Sequence, residues 1–333
     1  MMAARVQGDI SARSAGRSAT LNPDLMAHLP AVRGELIAMA PLAPQTWFRV
    51  GGPAEVLFRP ADADELAAFL TALPAAIPIT LMGLASNLLV RDGGVPGVVI
   101  KLGNAFAGVS IDGDVITAGA GAPDRKVANQ ARAAGLTGLE FLTGIPGRIG
   151  GAVKMNAGAY GQEVKDCFIA AEVIDRTGQR QWRSADALGF GYRHSALADD
   201  DIVVAAQFRG QREDPAAIAA RMSDITTRRA ATQPVQSKTG GSTFANPSPD
   251  LRAWQLVDQV GGRGLRVGGA AVSTLHSNFI VNTGNATAAD VEALGELLRV
   301  RVEAAQGIAL RWEVARIGLP LALPPAKPDG GAL

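Results

Sequence analysis

The sequence predicts a soluble α+β protein of two or three units, each long enough to bury a core of its own. Three observations carry this. Short β-type runs alternate with segments whose apolar side chains recur at helical spacing. Glycine is abundant, 39 of 333 residues against about 7 % in an average chain, and it is concentrated in loops. No apolar run reaches the ~18 residues needed to cross a membrane.

In order along the chain, Glu55–Arg59 reads as a strand, and Asp62 caps a helix with Leu66, Phe69, Leu70 and Leu73 on one face. Ile77–Leu81 is a second strand, running into the loop Gly83-Leu84-Ala85-Ser86-Asn87. Leu88–Val90 and Val98–Leu102 are short β segments around the turn chemistry of 91–97. A second unit opens with strands at Val109–Ile111 and Val115–Thr117. A helix follows from Pro123, with proline in its first turn and Gly135 as its stop. Then come the glycine-dense stretch 143–161 and strands near 169–175, 179–183 and 202–208. The third unit has a helix from Pro215 to about Ala231, the segment 240–247, a helix around 251–260 and a loop-rich stretch to His276. It closes with strand Phe279–Asn282, helix Ala288–Gln306 and strand Ile308–Ile317. The units are placed at 26–105, 106–212 and 213–318, with 1–25 and 319–333 as flexible tails. No fixed-period repeat is present.

Composition excludes several classes. Lys plus Arg (32) nearly balances Asp plus Glu (31), for a net charge of +1. That leaves no global attraction to nucleic acid or an anionic membrane. The only cysteine is Cys167 and the histidines are His28, His194 and His276. A disulfide framework and a cysteine-rich zinc or iron–sulfur site are therefore excluded, no metal site is expected, and the thiol count fits a reducing compartment. Redox chemistry would need an organic cofactor. Cys167 reads as a small buried residue rather than a nucleophile, since no base accompanies it.

The glycines form no known phosphate fingerprint. G-x-x-x-x-G-K-[ST] is absent, and Gly119-Ala120-Gly121 lacks the third glycine of a Rossmann turn. What remains is Gly83–Asn87 after a strand and Gly144–Gly151 after a helical segment. Each alone is a tight turn. Together with Asn156–Gly161 they suit a large dinucleotide held mainly by backbone N–H groups, which glycine brings close to a pyrophosphate.

Seven segments then bear on function: 46–53 (TWFRVGGP), 83–90 (GLASNLLV), 144–161 (GIPGRIGGAVKMNAGAYG), 191–195 (GYRHS), 241–247 (GSTFANP), 276–280 (HSNFI) and 312–318 (WEVARIG). In this order the chain from Thr46 to Gly318 resembles the UDP-N-acetylenolpyruvoylglucosamine reductase family. The resemblance implies an FAD-binding domain of the vanillyl-alcohol-oxidase type, made of two α+β subdomains, and a C-terminal α/β substrate-binding domain. It implies the shorter subclass, without the insertion that bears a mobile tyrosine. NADPH would reduce non-covalent FAD and leave. UDP-N-acetylglucosamine enolpyruvate would then enter the same cleft and take hydride on its vinyl carbon, in cytoplasmic synthesis of wall precursor. No nucleic-acid or membrane partner is implied, and the oligomeric state is open, leaning to a monomer.

Hydride addition leaves enolate charge beside the substrate carboxylate, so the site needs a cation or donors there and an acid for the adjacent carbon. The resemblance assigns these tasks to Arg193, Ser242 and Glu313. Cofactor contacts fall on Gly83, Ala85, Ser86, Asn87, Gly144, Pro146, Gly147, Gly150, Gly151, Asn156 and Gly158, and substrate contacts on Tyr192, Lys238, Asn246 and Asn278. Three positions depart from the family pattern. Ala85 replaces a frequent glycine and is expected to need a negative φ. Thr232 replaces a lysine, which Arg228, Arg229 or Lys238 would have to substitute. Ala315 replaces an arginine, with Arg316 on the opposite face. Two other functions fit parts of the chain. An FAD oxidase or dehydrogenase of the same superfamily explains the first half but not Ser242 and Glu313, and a catalytically silent nucleotide-binding protein needs only the loops.

Overall fold

The computed structural model describes residues 21–321, so most of both expected tails lies outside the described residues. The described part of the first tail is not loose, because Leu25 packs against the core around Phe58 and Phe69.

Three sheets organise the chain. The first has the strand order Glu35–Pro41, Pro53–Arg59, Val95–Ile100, Ile79–Leu81, antiparallel at the first pair and parallel thereafter. Parallel pairing requires a crossover, supplied by helix Ala63–Ala72. Asp62 starts that helix by accepting the Glu65 N–H at 2.8 Å, and Leu66, Phe69 and Leu70 seat it on Phe58. The second sheet is antiparallel, in the order Arg180–Ser184, Phe168–Ile174, Ile202–Arg209, Val115–Gly119, Val109–Asp112. Helices Asp124–Ala133 and Ile149–Lys154 share its core. The third sheet runs Lys238–Ser242, Phe279–Asn282, Ala270–Val272, Arg266–Val267. Helix Ala288–Gln306 packs on it, with Thr287 and Asp290 as a reciprocal capping box and left-handed Gly307 as its stop.

Several elements differ from the sequence reading. Glu35–Pro41 was not expected as a strand: its residues do not alternate in polarity, and Met39 sits at φ +48°. Lys238–Ser242, at the head of the segment 240–247 to which the sequence assigns no element, is a strand with a register break between Thr239 and Ser242. Gly240 is required there, since a Cβ would lie 2.2 Å from the Phe48 ring. Expected strand Ile308–Ile317 shrinks to Ala315–Ile317, because the chain must leave the third sheet to pair, in parallel, with Leu88–Val90 of the first unit. Glu313 therefore lies in irregular chain rather than in a strand.

The cores do not follow chain order. Phe48, Val50 and Leu89 are buried with Leu256, Val291 and Leu298 of the third unit. Ile218 and Met222, on helix Pro215–Thr232, pack into the second. Truncating Leu89, which is fully buried, to alanine should cost about 2–5 kcal/mol. Chemical denaturation of Leu89→Ala checks this, and a loss below about 1 kcal/mol would contradict the shared core.

Candidate active site

The first glycine loop is fixed by Asn87. Its side-chain amide donates to the Glu313 carbonyl at 3.1 Å and to Met155 Sδ at 3.4 Å, while its own carbonyl accepts from Ala315 N at 3.0 Å. One residue thus joins the loop, the end of helix Ile149–Lys154 and the approach to the last strand. Within the loop Ala85 is buried at φ +53°. This corrects the expected negative φ: the small left-handed region admits a methyl at a cost, and neighbouring packing holds it there. Ser86 is partly exposed, and its carbonyl lies 3.8 Å from where a Cβ on Gly241 would sit.

The second loop lies against strand-end backbone. Gly147 O accepts from Asp124 N at 3.1 Å, Ile149 N donates to Ala122 O at 3.0 Å, and Gly150 N donates to Ala120 O at 2.9 Å. A Cβ would lie 2.7 Å from the Tyr160 ring at Gly144, 2.5 Å from Asp124 Oδ2 at Gly147 and 3.0 Å from Ala120 Cβ at Gly150. Glycine is needed at all three for close approach. Gly83 and Gly151 differ: nothing lies within 4 Å of a Cβ on either. These are cradle surfaces that a bound group can approach, and Pro146 between them is partly exposed. The backbone therefore fits a dinucleotide such as FAD.

Asn156 does not belong to that surface. It is fully buried at φ +42°, donates to Glu163 Oε2 and Gly191 O, both at 3.0 Å, and accepts from Lys165 N at 3.0 Å. Its side chain braces the Gly158 turn against the loop carrying Arg193. The side chain of Asn278 is likewise a brace: it is buried, and its amide exchanges two hydrogen bonds with the Phe244 backbone, at 3.0 and 2.8 Å. Asn246 accepts from Ala253 N at 3.1 Å and so caps the next helix, with the rest of its amide partly exposed.

The three catalytic candidates converge. Arg193, at φ +54°, donates through Nε to Glu313 Oε1 at 3.2 Å and through Nη2 to Gly158 O at 2.9 Å. Its guanidinium stands 5.5 Å from the Tyr192 ring, which is half exposed. Glu313 is 16 % exposed, and its N–H donates to Thr243 O at 2.8 Å. That contact places it against the backbone of the residue after Ser242. The partly exposed Ser242 hydroxyl bonds to none of the described residues. Burial pushes the Glu313 carboxyl above its usual range, and the Arg193 charge opposes this only in part. Lys238 is exposed at the start of the same strand as Ser242.

Two departures are resolved. Thr232 bonds back to Arg228 O, and Arg228 is paired with Asp224. Arg229 is held by Gln233 with no carboxylate partner among the described residues, near Tyr160 beside Gly144. Of the three cations that could stand in for the expected lysine, Arg228 is ion-paired, Lys238 is exposed and Arg229 lies near Tyr160 beside Gly144. Arg316 turns away to Glu292 and Glu296, each at 3.0 Å, and stacks on Trp312.

Sequence reasoning missed Lys154 and Asp124. Lys154 Nζ donates to Leu197 O and Ala198 O at 2.8 and 2.6 Å, and its carbonyl accepts from Ser195 at 2.7 Å. It ties the Arg193 loop to the helix that follows the second glycine loop. Asp124, directly beneath Gly147, is fully buried with neither oxygen hydrogen-bonded. Burial raises its pKa strongly against the opposing charge of Arg148. Its position at a helix start looked like ordinary first-turn acidity, and nothing local signals burial. A cleft of about 440 Å³, lined by Asp62, Phe106, Thr117 and Glu172 among others, includes none of the catalytic candidates.

Comparison with known proteins agrees with this geometry. Residues 54–184 match the model of an FAD binding domain, and 233–317 that of the UDP-N-acetylenolpyruvoylglucosamine reductase C-terminal domain. The chain is 57 % identical over 300 residues to the UDP-N-acetylenolpyruvoylglucosamine reductase of Azorhizobium caulinodans, covering 90 % of this chain and 97 % of that one. It is 55 % identical over 308 residues to the one from Parvibaculum lavamentivorans, covering 92 % and 97 %. The crystal structure of the Thermus caldophilus reductase superposes with a TM-score of 0.75 at 37 % identity, covering 86 % of this chain and all of that one.

The raised pKa of Asp124 has a stability consequence. The unfolded chain ionises it at lower pH than the folded chain does, so its contribution is fully present below the unfolded pKa and declines as pH rises toward the folded one. Asp124→Asn should remove this decline and raise the cofactor-free melting temperature at neutral pH. Melting curves from about pH 4 to 8 test it, and an unchanged pH slope would show Asp124 to be ionised in the fold.

Proposed function

Because the chain belongs to the UDP-N-acetylenolpyruvoylglucosamine reductase family, we propose that Arg193, Ser242 and Glu313 carry the reduction of UDP-N-acetylglucosamine enolpyruvate to UDP-N-acetylmuramate. The enzyme is an FAD-dependent oxidoreductase that takes its electrons from NADPH. The observation that carries the residue assignment is the Arg193–Glu313 pair, at 3.2 Å, joined through Asn87 to the first glycine loop. A silent nucleotide-binding protein would not need a half-buried ion pair beside an unengaged serine. The backbone of Gly83–Asn87 and Gly144–Gly151 would hold FAD, with Arg229 near its phosphates. When bound, FAD supplies the hydride store between NADPH and the vinyl carbon.

The protein's own part is electrostatic and protonic. Arg193 keeps Nη1 unengaged by the described residues, so it can grip the substrate carboxylate and stabilise enolate charge as it develops. As Arg193 turns toward the substrate, Glu313 loses part of the charge that opposes its protonation. Its carboxyl then holds a proton more firmly and donates a hydrogen bond to the enolate oxygen. The Ser242 hydroxyl delivers the proton to the carbon bearing the carboxylate. Tyr192, Lys238 and Asn246 line the approach for the sugar nucleotide. In this reading 26–105 and 106–212 hold the cofactor, 213–318 the substrate, and a monomer works in the cytoplasm. No helix among the described residues is long and apolar enough to cross a membrane.

Ser242→Ala should leave flavin reduction by NADPH intact and slow reoxidation by the enolpyruvyl substrate about 100-fold or more. Stopped-flow absorbance separates the two half-reactions, and equal losses in both would point to FAD binding or folding instead. For Glu313, whose proton affinity is raised, reoxidation should fall on the alkaline side of a pKa above the ordinary 4.5. Glu313→Gln should lose that limb, and a wild-type pH profile in the variant would exclude a proton role.

A further inference from the structure

A second cleft, of about 270 Å³, lies between helices Asp124–Ala133 and Pro215–Thr232, behind the second glycine loop. Arg125, Asn129 and Arg132 line one wall at positions i, i+4 and i+7 of one helix face, with Ser223 and Thr226 opposite and Thr143 at the end. None of these is among the catalytic or cofactor residues. We propose that this cleft is a separate oxyanion site that takes a phosphate group.

Charge is the first argument. Arg221 and Arg228, on the neighbouring helix, are paired with Glu140 and Glu213 and with Asp224. Arg125 and Arg132 have no carboxylate partner among the described residues. Two arginines converging on a cleft without a counter-charge repel each other unless an anion comes between them. Hydrogen bonding is the second argument. Arg132 Nε and Thr143 Oγ1 are buried without a partner, a state native proteins avoid. Guanidinium can only donate, so whatever completes the site must bring acceptors and negative charge. Size is the third. The volume falls below the roughly 300–1,000 Å³ of pockets for larger ligands, which leaves room for a phosphate with water or a small organic phosphate, not for a dinucleotide.

The site is placed to influence the cofactor loop. Thr143 immediately precedes Gly144, and Ile225, on the same helix as Ser223 and Thr226, lies 3.1 Å from where a Gly144 Cβ would be. An anion drawing Thr143 and the two helices together would stiffen the backbone that cradles the cofactor.

The test is calorimetric titration of the full, FAD-loaded chain at constant ionic strength, with inorganic phosphate in one arm and a hexose phosphate in the other. Saturable binding of one equivalent is expected in at least one arm, and the tighter arm identifies the source. Arg125→Gln and Arg132→Gln should each weaken it about ten-fold or more, the scale of a lost charged hydrogen bond. Arg125 is exposed, so its variant should melt like the parent without phosphate and keeps the test clear of misfolding. Non-saturable heat in both arms, affinity unchanged in both variants, or displacement of phosphate by NADPH in direct competition would each overturn the proposal.

Discussion

The geometry of the active site depends on the side chain of Asn87. Its amide reaches the backbone ahead of the last strand and the sulfur of Met155, and the backbone carbonyl of the same residue accepts from Ala315 N. Neither the glycine loop nor the segment around Glu313 belongs to a named strand, so local propensity cannot place them. They are placed by being bonded to one another, by the bridge from Trp312 to Phe244 with its Glu313-to-Thr243 hydrogen bond, and by the short parallel ladder from Leu88–Val90 to Ala315–Ile317. Removing the amide would leave the Glu313 carbonyl and the loop to find each other through solvent, in a site where small displacements cost much of the rate.

Around that anchor the Arg193–Glu313 pair rests on a balance. Burial disfavours the ionised Glu313 and Arg193 favours it, so the carboxyl's protonation responds to where the guanidinium points. A fully buried pair would hold both groups fixed, and a surface pair would be screened into irrelevance. At 24 % and 16 % exposure this pair lies between those limits. Arg193 is also held in the left-handed region, a strain that persists because Asn156, Lys154 and Ser195 tie its loop from beneath.

Much of the fold was legible in the sequence because its signals are local. Helix Ala288–Gln306, the Asp62 cap and the Gly135 stop follow from periodicity and capping chemistry. The failures are of one kind, where tertiary contact overrides local preference. The glycine-bearing strand Lys238–Ser242 exists because Phe279–Asn282 pairs with it and Phe48 leaves no room for a side chain. Ala85 keeps φ +53° because its surroundings demand it. The Asn156 and Asn278 side chains bond to backbone and to Glu163: an amide's partners are set by what lies opposite it in space, which spacing does not encode. Arg193, Ser242 and Glu313 are singled out by the family pattern alone, whereas the burial of Asp124 depends on the loop folded over it.

The pairing of Leu88–Val90 with Ala315–Ile317 also has a temporal meaning. The hydrogen bond from Asn87 to Glu313 spans 226 residues, so during synthesis on a ribosome both glycine loops exist long before the segment that bonds to the first of them. A nascent chain can assemble its cofactor surface early, but it becomes a reductase only when nearly all of it has emerged. Closing so long a loop is entropically costly and slow relative to local structure. A partly made or prematurely terminated copy would therefore be unable to turn over the sugar nucleotide.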